Sequence, residues 1–185
     1  KGRNMITETK LKEYKEKSVS LKSLVLTDRQ LCDIELIMNG AFSPLKGFLG
    51  KADYDSVVSN MRLESGEVWP IPIMLDVTQE FIDANSIKAG SEIALREKEG
   101  FLVAIITVSD VWAPNKKLES EAVFGSSDQY HPGVKNLFSM TKDVYIGGEI
   151  IAVQSPKHYD FSLLRHSPIN LKEQFDKMGW DKIVA

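Results

Sequence analysis

The chain has one cysteine, Cys32, among 185 residues. A single thiol excludes an internal disulfide and any metal site built on several cysteines, and it suits a reducing compartment, so the expected location is the cytoplasm. Arginine is scarce as well: Arg3, Arg29, Arg62, Arg96 and Arg165 are the whole supply. Arginine is the usual two-pronged phosphate clamp, so a phosphate-rich ligand would find few partners here. Excess positive charge is missing too. Lysine plus arginine total 23 against 26 acidic residues, a net charge of -3, which argues against a large nucleic-acid or anionic-membrane surface. No apolar run approaches the roughly 18 residues that span a bilayer. The opening "KGRNMITETKLKEYKEK" is basic but leads into no apolar stretch, so it does not read as a signal peptide. It starts with Lys, and the residues ahead of Met5 read as tag or trimmed sequence.

Reaction centres are equally hard to find. No G-x-G-x-x-G occurs, and "GKAD" at 50–53 lacks the P-loop spacing. The histidines, His131, His158 and His166, form no pair at helical metal-binding spacing. His131 precedes Pro132 and Gly133, where a ring hydrogen-bonded to loop backbone is expected. His158 and His166 flank Tyr159 and Asp160 in a polar connector and are expected to be solvated. Cys32 lies near the apolar face of a helix and reads as a buried, inert thiol. Glu97 and Glu99 read as a hairpin turn, and Glu119 and Glu121 as the wet face of a helix. No carboxylate has flanks that would bury it and raise its pKa. The lysines of residues 10–17 do not interleave with aromatics as a stacking groove requires.

What is present is an apolar content of 43 %, enough for a true core. Residues 7–17 read as a charged surface lead-in. A helix is predicted from Asp28 to Met38, with Thr27 and Gln30 as a capping box and Gly40 closing it. Tyr54, Val57, Val58 and Met61 recur on one face of a second helix. "ESGE" is a turn at Ser65-Gly66. "WPIPIMLDV", Trp69 to Val77, reads as a strand confined to an edge or entry position by its prolines. Residues 92–97 and 101–113 read as a hairpin turning at Gly100. "DVYIGGEIIAVQS" reads as a strand pair bent at Gly147-Gly148. Two short helices are predicted between these, broken near Gly125 and Pro132. A last helix starts at Ser167-Pro168 and stops at Gly179, with Leu171, Phe175 and Met178 on one face. "KIVA" then begins a strand-like run, and the end at Ala185 reads as a cut.

The glycine-rich stretch "NGAFSPLKGFLG", Asn39 to Gly50, could grip phosphate or form a rigid corner. Apart from Lys46 it carries no useful charge, and no Lys-Ser/Thr helix start follows in register. It reads as a corner: Pro44 presets a turn, Gly47 permits a positive φ, and Phe42, Phe48 and Leu49 are sized for burial.

The segments "LTDRQLCDIELIMNGAFSPLKGFLG", "NMRLESGEVWPIPIMLDV", "VFGSSDQYHPGV" and "DVYIGGEI", in this order and spacing, resemble the amino-terminal region of ATP sulfurylase (sulfate adenylyltransferase) from about Leu21 to Ala185. The resemblance implies an α+β fold: a PUA-like β-barrel, or pseudo-barrel, decorated with short helices, followed by a truncated α/β element. It divides the chain into a lead-in (1–20), the PUA-like domain (21–166) and the start of a nucleotidyltransferase-like catalytic domain (167–185). The family's Q-x-R-N, H-x-x-H and G-R-D motifs are absent from this sequence, so no catalytic, cofactor-binding or metal residue is carried over. The parent reaction, ATP plus sulfate giving adenosine 5′-phosphosulfate and pyrophosphate, would use Mg-ATP held outside this chain. The implied partners are a carboxy-terminal catalytic domain and further copies in a homo-oligomer, with neither nucleic acid nor membrane. The contrasting expectation is a free-standing PUA-like module, for instance for RNA, with an affinity that falls steeply with salt; weak residual ATP binding is a third.

Overall fold

The computed structural model describes residues 7–161 and 163–184; Arg3, Met5 and Ala185 lie outside them. The described residues form seven helices and a six-stranded mixed sheet, an α+β architecture. The hydrogen-bonded path runs β1-β4-β5-β6-β2, with β3 also on β6. The path is open, with β1 and β2 at its ends, as a pseudo-barrel allows.

The centre of the sheet is the hairpin of β4 (Glu92–Arg96) and β5 (Leu102–Trp112). It turns at Gly100, whose φ is +89°. Ile93, Ala94, Leu95, Ala104, Ile105 and Ile106 have no exposed surface. Both faces of the hairpin are covered, which is why β5 reads as a continuous apolar run rather than an alternation. β1 (Lys22–Val25) joins β4 in parallel. Sequence periodicity does not reveal β1, because four residues with a single buried side chain give almost no signal.

β6 (Val144–Ala152) is one strand, not the expected pair. It lies antiparallel to β5 along its length, and the irregularity falls on β5, where Ser109 is the extra residue between Val108 and Asp110. Gly147 and Gly148 face this bulge and let neighbouring backbone approach, so the strand continues through them. The other edge of β6 is shared: β3 (Leu75–Val77) takes Val144 to Ile146, and β2 (Gly47–Phe48) takes Gly148 and Glu149. Of the expected strand 69–77 only β3 is regular; with prolines at 70 and 72, the preceding residues run as irregular backbone.

The helices cover this sheet. α1 (Glu8–Ser18) replaces the expected loose lead-in; Thr7 caps it and its Lys17 reaches Glu92 at 2.6 Å. α2 (Asp28–Met38) has the predicted Thr27–Gln30 capping box and buries Ile34 and Ile37 fully. α3 (Lys51–Asn60) buries Tyr54, Val57 and Val58. Met61 is its left-handed cap and 58 % exposed, so it leaves the apolar face assigned to it from spacing. α4 (Gln79–Asn85) is two turns capped by Thr78, too short for its period to show in the sequence. α5 (Lys116–Phe124) and α6 (Pro132–Ser139) are the two predicted short helices, and α7 (Pro168–Met178) has the predicted Ser167 cap and Gly179 stop. Residues 182–184 belong to no strand, contrary to the expectation for "KIVA".

The Asn39–Gly50 stretch folds as a corner. Leu45, Phe48 and Leu49 are buried, and Phe42 packs edge-on to Trp69 with ring centroids 5.7 Å apart. Its backbone is committed to the sheet through the β2–β6 pairing and the bond from Leu49 N to Ile73 O. Gly47 is needed for a different reason than expected. Its φ is not positive; a Cβ there would stand 2.0 Å from the carbonyl oxygen of Gly148.

Candidate functional site

A buried polar cluster lies where α3, α5 and the sheet meet. α5 turns an unexpected face inward. Leu118 is 53 % exposed, while Glu119 is 6 % exposed and Ser120 fully buried. Val123 and Phe124, one turn on, line the same inner side. This overturns the wet-face reading of Glu119. Its Oε2 accepts hydrogen bonds from Tyr54 Oη at 2.8 Å and Tyr145 Oη at 3.1 Å. The two tyrosines and Trp112 form a cluster with centroids 5.5 to 6.0 Å apart. Trp112 Nε1 is buried without a hydrogen-bond partner among the described residues.

Desolvation is the main influence on Glu119 and lifts its carboxyl above the ordinary 4.5, against the lowering effects of the two tyrosine bonds, Lys116 and Arg29. Both tyrosines are pushed up as well, first by burial and then by the Glu119 charge. A carboxyl raised in the folded state keeps a proton that the unfolded chain releases. Its contribution is therefore complete below the ordinary glutamate pKa and is lost as pH rises through the folded value. The stability of the protein relative to Glu119→Gln is expected to fall as pH rises from the ordinary glutamate range through the raised folded value. Thermal melts of both proteins across that range check this; a difference that grows with pH would contradict it.

Beside this cluster lies a second one. Asp76, 2 % exposed on β3, accepts from Arg29 Nη2, from Gln30 Nε2 at 2.9 Å and from Lys142 N at 2.9 Å. Arg29 also pairs with Asp33 at 2.8 Å. Desolvation leads in raising Asp33, and Arg29 opposes it. A cavity of about 120 Å³ opens between the two clusters, lined by Arg29, Met74, Glu119, Phe124, Leu137 and Tyr145 among others. Sequence reasoning missed Asp76, although an acid inside the apolar run "IMLDV" is a signal of a satisfied buried carboxylate.

The groups singled out from the sequence do not converge. Cys32 is exposed, contrary to the expected buried thiol, because the inward face of α2 is set by Gln30, Ile34 and Ile37. His131 caps α6 by accepting from Val134 N at 3.4 Å, as its loop position suggested. His158 Nε2 lies 2.8 and 2.9 Å from the two oxygens of Glu35, so it is tied to α2 rather than freely solvated. That contact closes one side of an open groove that also contains Cys32, Arg165 and His166. A further groove runs along the Pro44–Gly50 corner, where Asp53, Glu67 and Glu149 outnumber Lys46. Among the described residues no group of three His, Cys, Asp or Glu side chains is placed to hold a metal ion.

Comparison with known proteins places these features in context. The family model of the PUA-like domain matches residues 2–155. The chain is 54 % identical over 160 residues to a sulfate adenylyltransferase of Eremothecium gossypii, covering 86 % of this chain and 31 % of that protein. It is 45 % identical over 174 residues to the sulfate adenylyltransferase of Aspergillus fumigatus, covering 94 % and 30 %. Among solved structures it is similar to the hexameric APS kinase from Thiobacillus denitrificans, with a TM-score of 0.72, 31 % identity, and coverage of 96 % and 30 %. The chain thus spans about 30 % of the length of the relatives it matches.

Proposed function

We propose, from the premise that this chain belongs to the PUA-like domain family, that it serves as the amino-terminal, non-catalytic domain of a sulfate adenylyltransferase. The parent enzyme would form adenosine 5′-phosphosulfate and pyrophosphate from Mg-ATP and sulfate in the cytoplasm. The observation that carries this is high identity to enzymes of that name over most of this chain, but over only 31 % of the enzyme. The chemistry of the described surface supports a bracing role. Transfer to a nucleotide phosphate needs clustered cations around the reacting oxygens. Here each described arginine is bonded within the chain: Arg29 to Asp33 and Asp76, Arg62 to Gly66, Arg96 to Ser18 and Ser23, Arg165 to Asp160. The same commitment weighs against an RNA-binding module.

The partner of this domain would be the catalytic domain, contacted through the carboxy-terminal segment. Phe175 stacks on Trp180 at 6.0 Å, yet Met178, Trp180 and Ile183 stay about half exposed and Leu163 and Leu164 are more exposed still. Apolar side chains gathered in one segment without cover mark an interaction surface. A homo-oligomeric parent fits the hexameric state named for the similar Thiobacillus protein. The test is direct: the isolated chain, given Mg-ATP and sulfate, is expected to release no pyrophosphate above the blank. Turnover that is abolished by a substitution within these residues would overturn the proposal.

A further inference from the structure

The cavity between the two clusters has a polarity that the bracing role does not use. The buried acid on its wall, Glu119, forms no ion pair among the described residues, although the Arg29 guanidinium lines the same cavity. Glu119 is 6 % exposed, and its side-chain hydrogen bonds come from two neutral phenols. The two nearby cations are engaged elsewhere. Arg29 is held by Asp33 and Asp76, and Lys116 donates to Thr141 O at 2.6 Å and lies 3.6 Å from Asp143. Of these groups, only Glu119 and Arg29 line the cavity, and neither cation pairs with the Glu119 carboxylate. A desolvated carboxylate without a charged partner is costly, and the cost is relieved by a cation that brings its own hydrogen-bond donors.

The walls specify the rest of the ligand. Pro72, Met74, Val123, Phe124 and Leu137 present apolar surface to the cavity. Phe124 can sit against α6 only because residue 133 is glycine; a Cβ there would meet its ring at 2.6 Å. About 120 Å³ admits a short aliphatic stem but not a ring system of nucleotide size.

We propose that this cavity is a binding site for an alkylammonium or alkylguanidinium group, its head paired to Glu119 and its stem lying between α5 and α6. Such a group occurs on free small amines and on lysine or arginine side chains of a polypeptide.

The experiment is a titration with n-butylguanidinium chloride, read by the amide NMR shifts of Gly133, Leu137 and Thr141. Saturable shifts with a Kd of about 1–10 mM are expected, with none from n-butanol or from sodium chloride at equal ionic strength. Glu119→Gln keeps an oxygen for the tyrosines and is expected to weaken binding at least about tenfold. Val123→Trp fills the cavity, leaves the Glu119–tyrosine bonds alone, and is expected to abolish binding. Equal affinity in either folded variant, or no saturation by the wild type, overturns the proposal. A pentapeptide with a central arginine binding more tightly than butylguanidinium places the cation on a polypeptide; weaker binding places it on a free amine.

Discussion

Gly47→Ala is expected to lower stability by about 3 kcal/mol or more, since a forced overlap in the core belongs to the severe class of substitutions. The added Cβ would lie 2.0 Å from Gly148 O, 2.7 Å from Glu149 Cα and 2.9 Å from Gly148 C. All three are backbone atoms of β6, the strand that also carries β3 and β5. No side chain can swing aside, so β2 must detach or β6 must bend. In a chain of this size the loss corresponds to a melting temperature lower by about 6–12 °C. Gly40→Ala is the control. It also sits at a chain reversal, with φ +83°, but a Cβ there meets nothing within 4 Å. Only conformational strain applies, about 1 kcal/mol. Thermal melts of both variants separate close approach from backbone freedom; equal losses would show that the β2–β6 contact is not what Gly47 protects.

That contrast shows where the sequence could be read and where it could not. Local chemistry was legible. The Thr27–Gln30 box, the Ser167 cap and the turn at Gly100 each follow from residues acting on backbone a few positions away. The central hairpin was legible because β5 is long and buried on both faces. What stayed hidden depends on partners distant in sequence. The need for glycine at 47 is imposed by residue 148. β1 and β3 gain their identity from β4 and β6 rather than from their own few residues. β6 reads as two strands because its glycines look like breaks until the bulge at Ser109 is placed opposite them.

The candidate site was the least legible part, for a related reason. Glu119 sits beside Leu118 and Glu121 in a charged stretch, and composition points the leucine inward. The structure does the reverse, because Tyr54 and Tyr145 offer the carboxylate two donors that no leucine could use. Those donors lie on α3 and β6, 65 and 26 residues away. Burial of an acid is a property of the assembled surroundings. Its sequence signature here was indirect: Val123 and Phe124 mark the inner side of α5, and Glu119 lies one turn earlier on it.

Asp76→Ala is expected to cost about 3 kcal/mol, because it strands several donors at once. Asp76 connects three separate elements: α2 through Arg29 and Gln30, its own strand β3, and the backbone at Lys142 just before β6. Gln30, fully buried, keeps its bond to Asp76 O at 2.8 Å in the variant, but Lys142 N loses its acceptor. Arg29 loses less, since its side chain is 42 % exposed and water can replace part of the pair. The loss therefore falls mainly on the buried members, and Arg29→Ala is expected to be milder than Asp76→Ala. Asp76→Asn keeps one acceptor and turns an amide donor toward either Arg29 or Lys142 N, so it should fall between them. Chemical denaturation of the three variants gives the order. If Arg29→Ala proves the most damaging, the exposed ion pair, and not the buried carboxylate, is what joins α2 to the sheet.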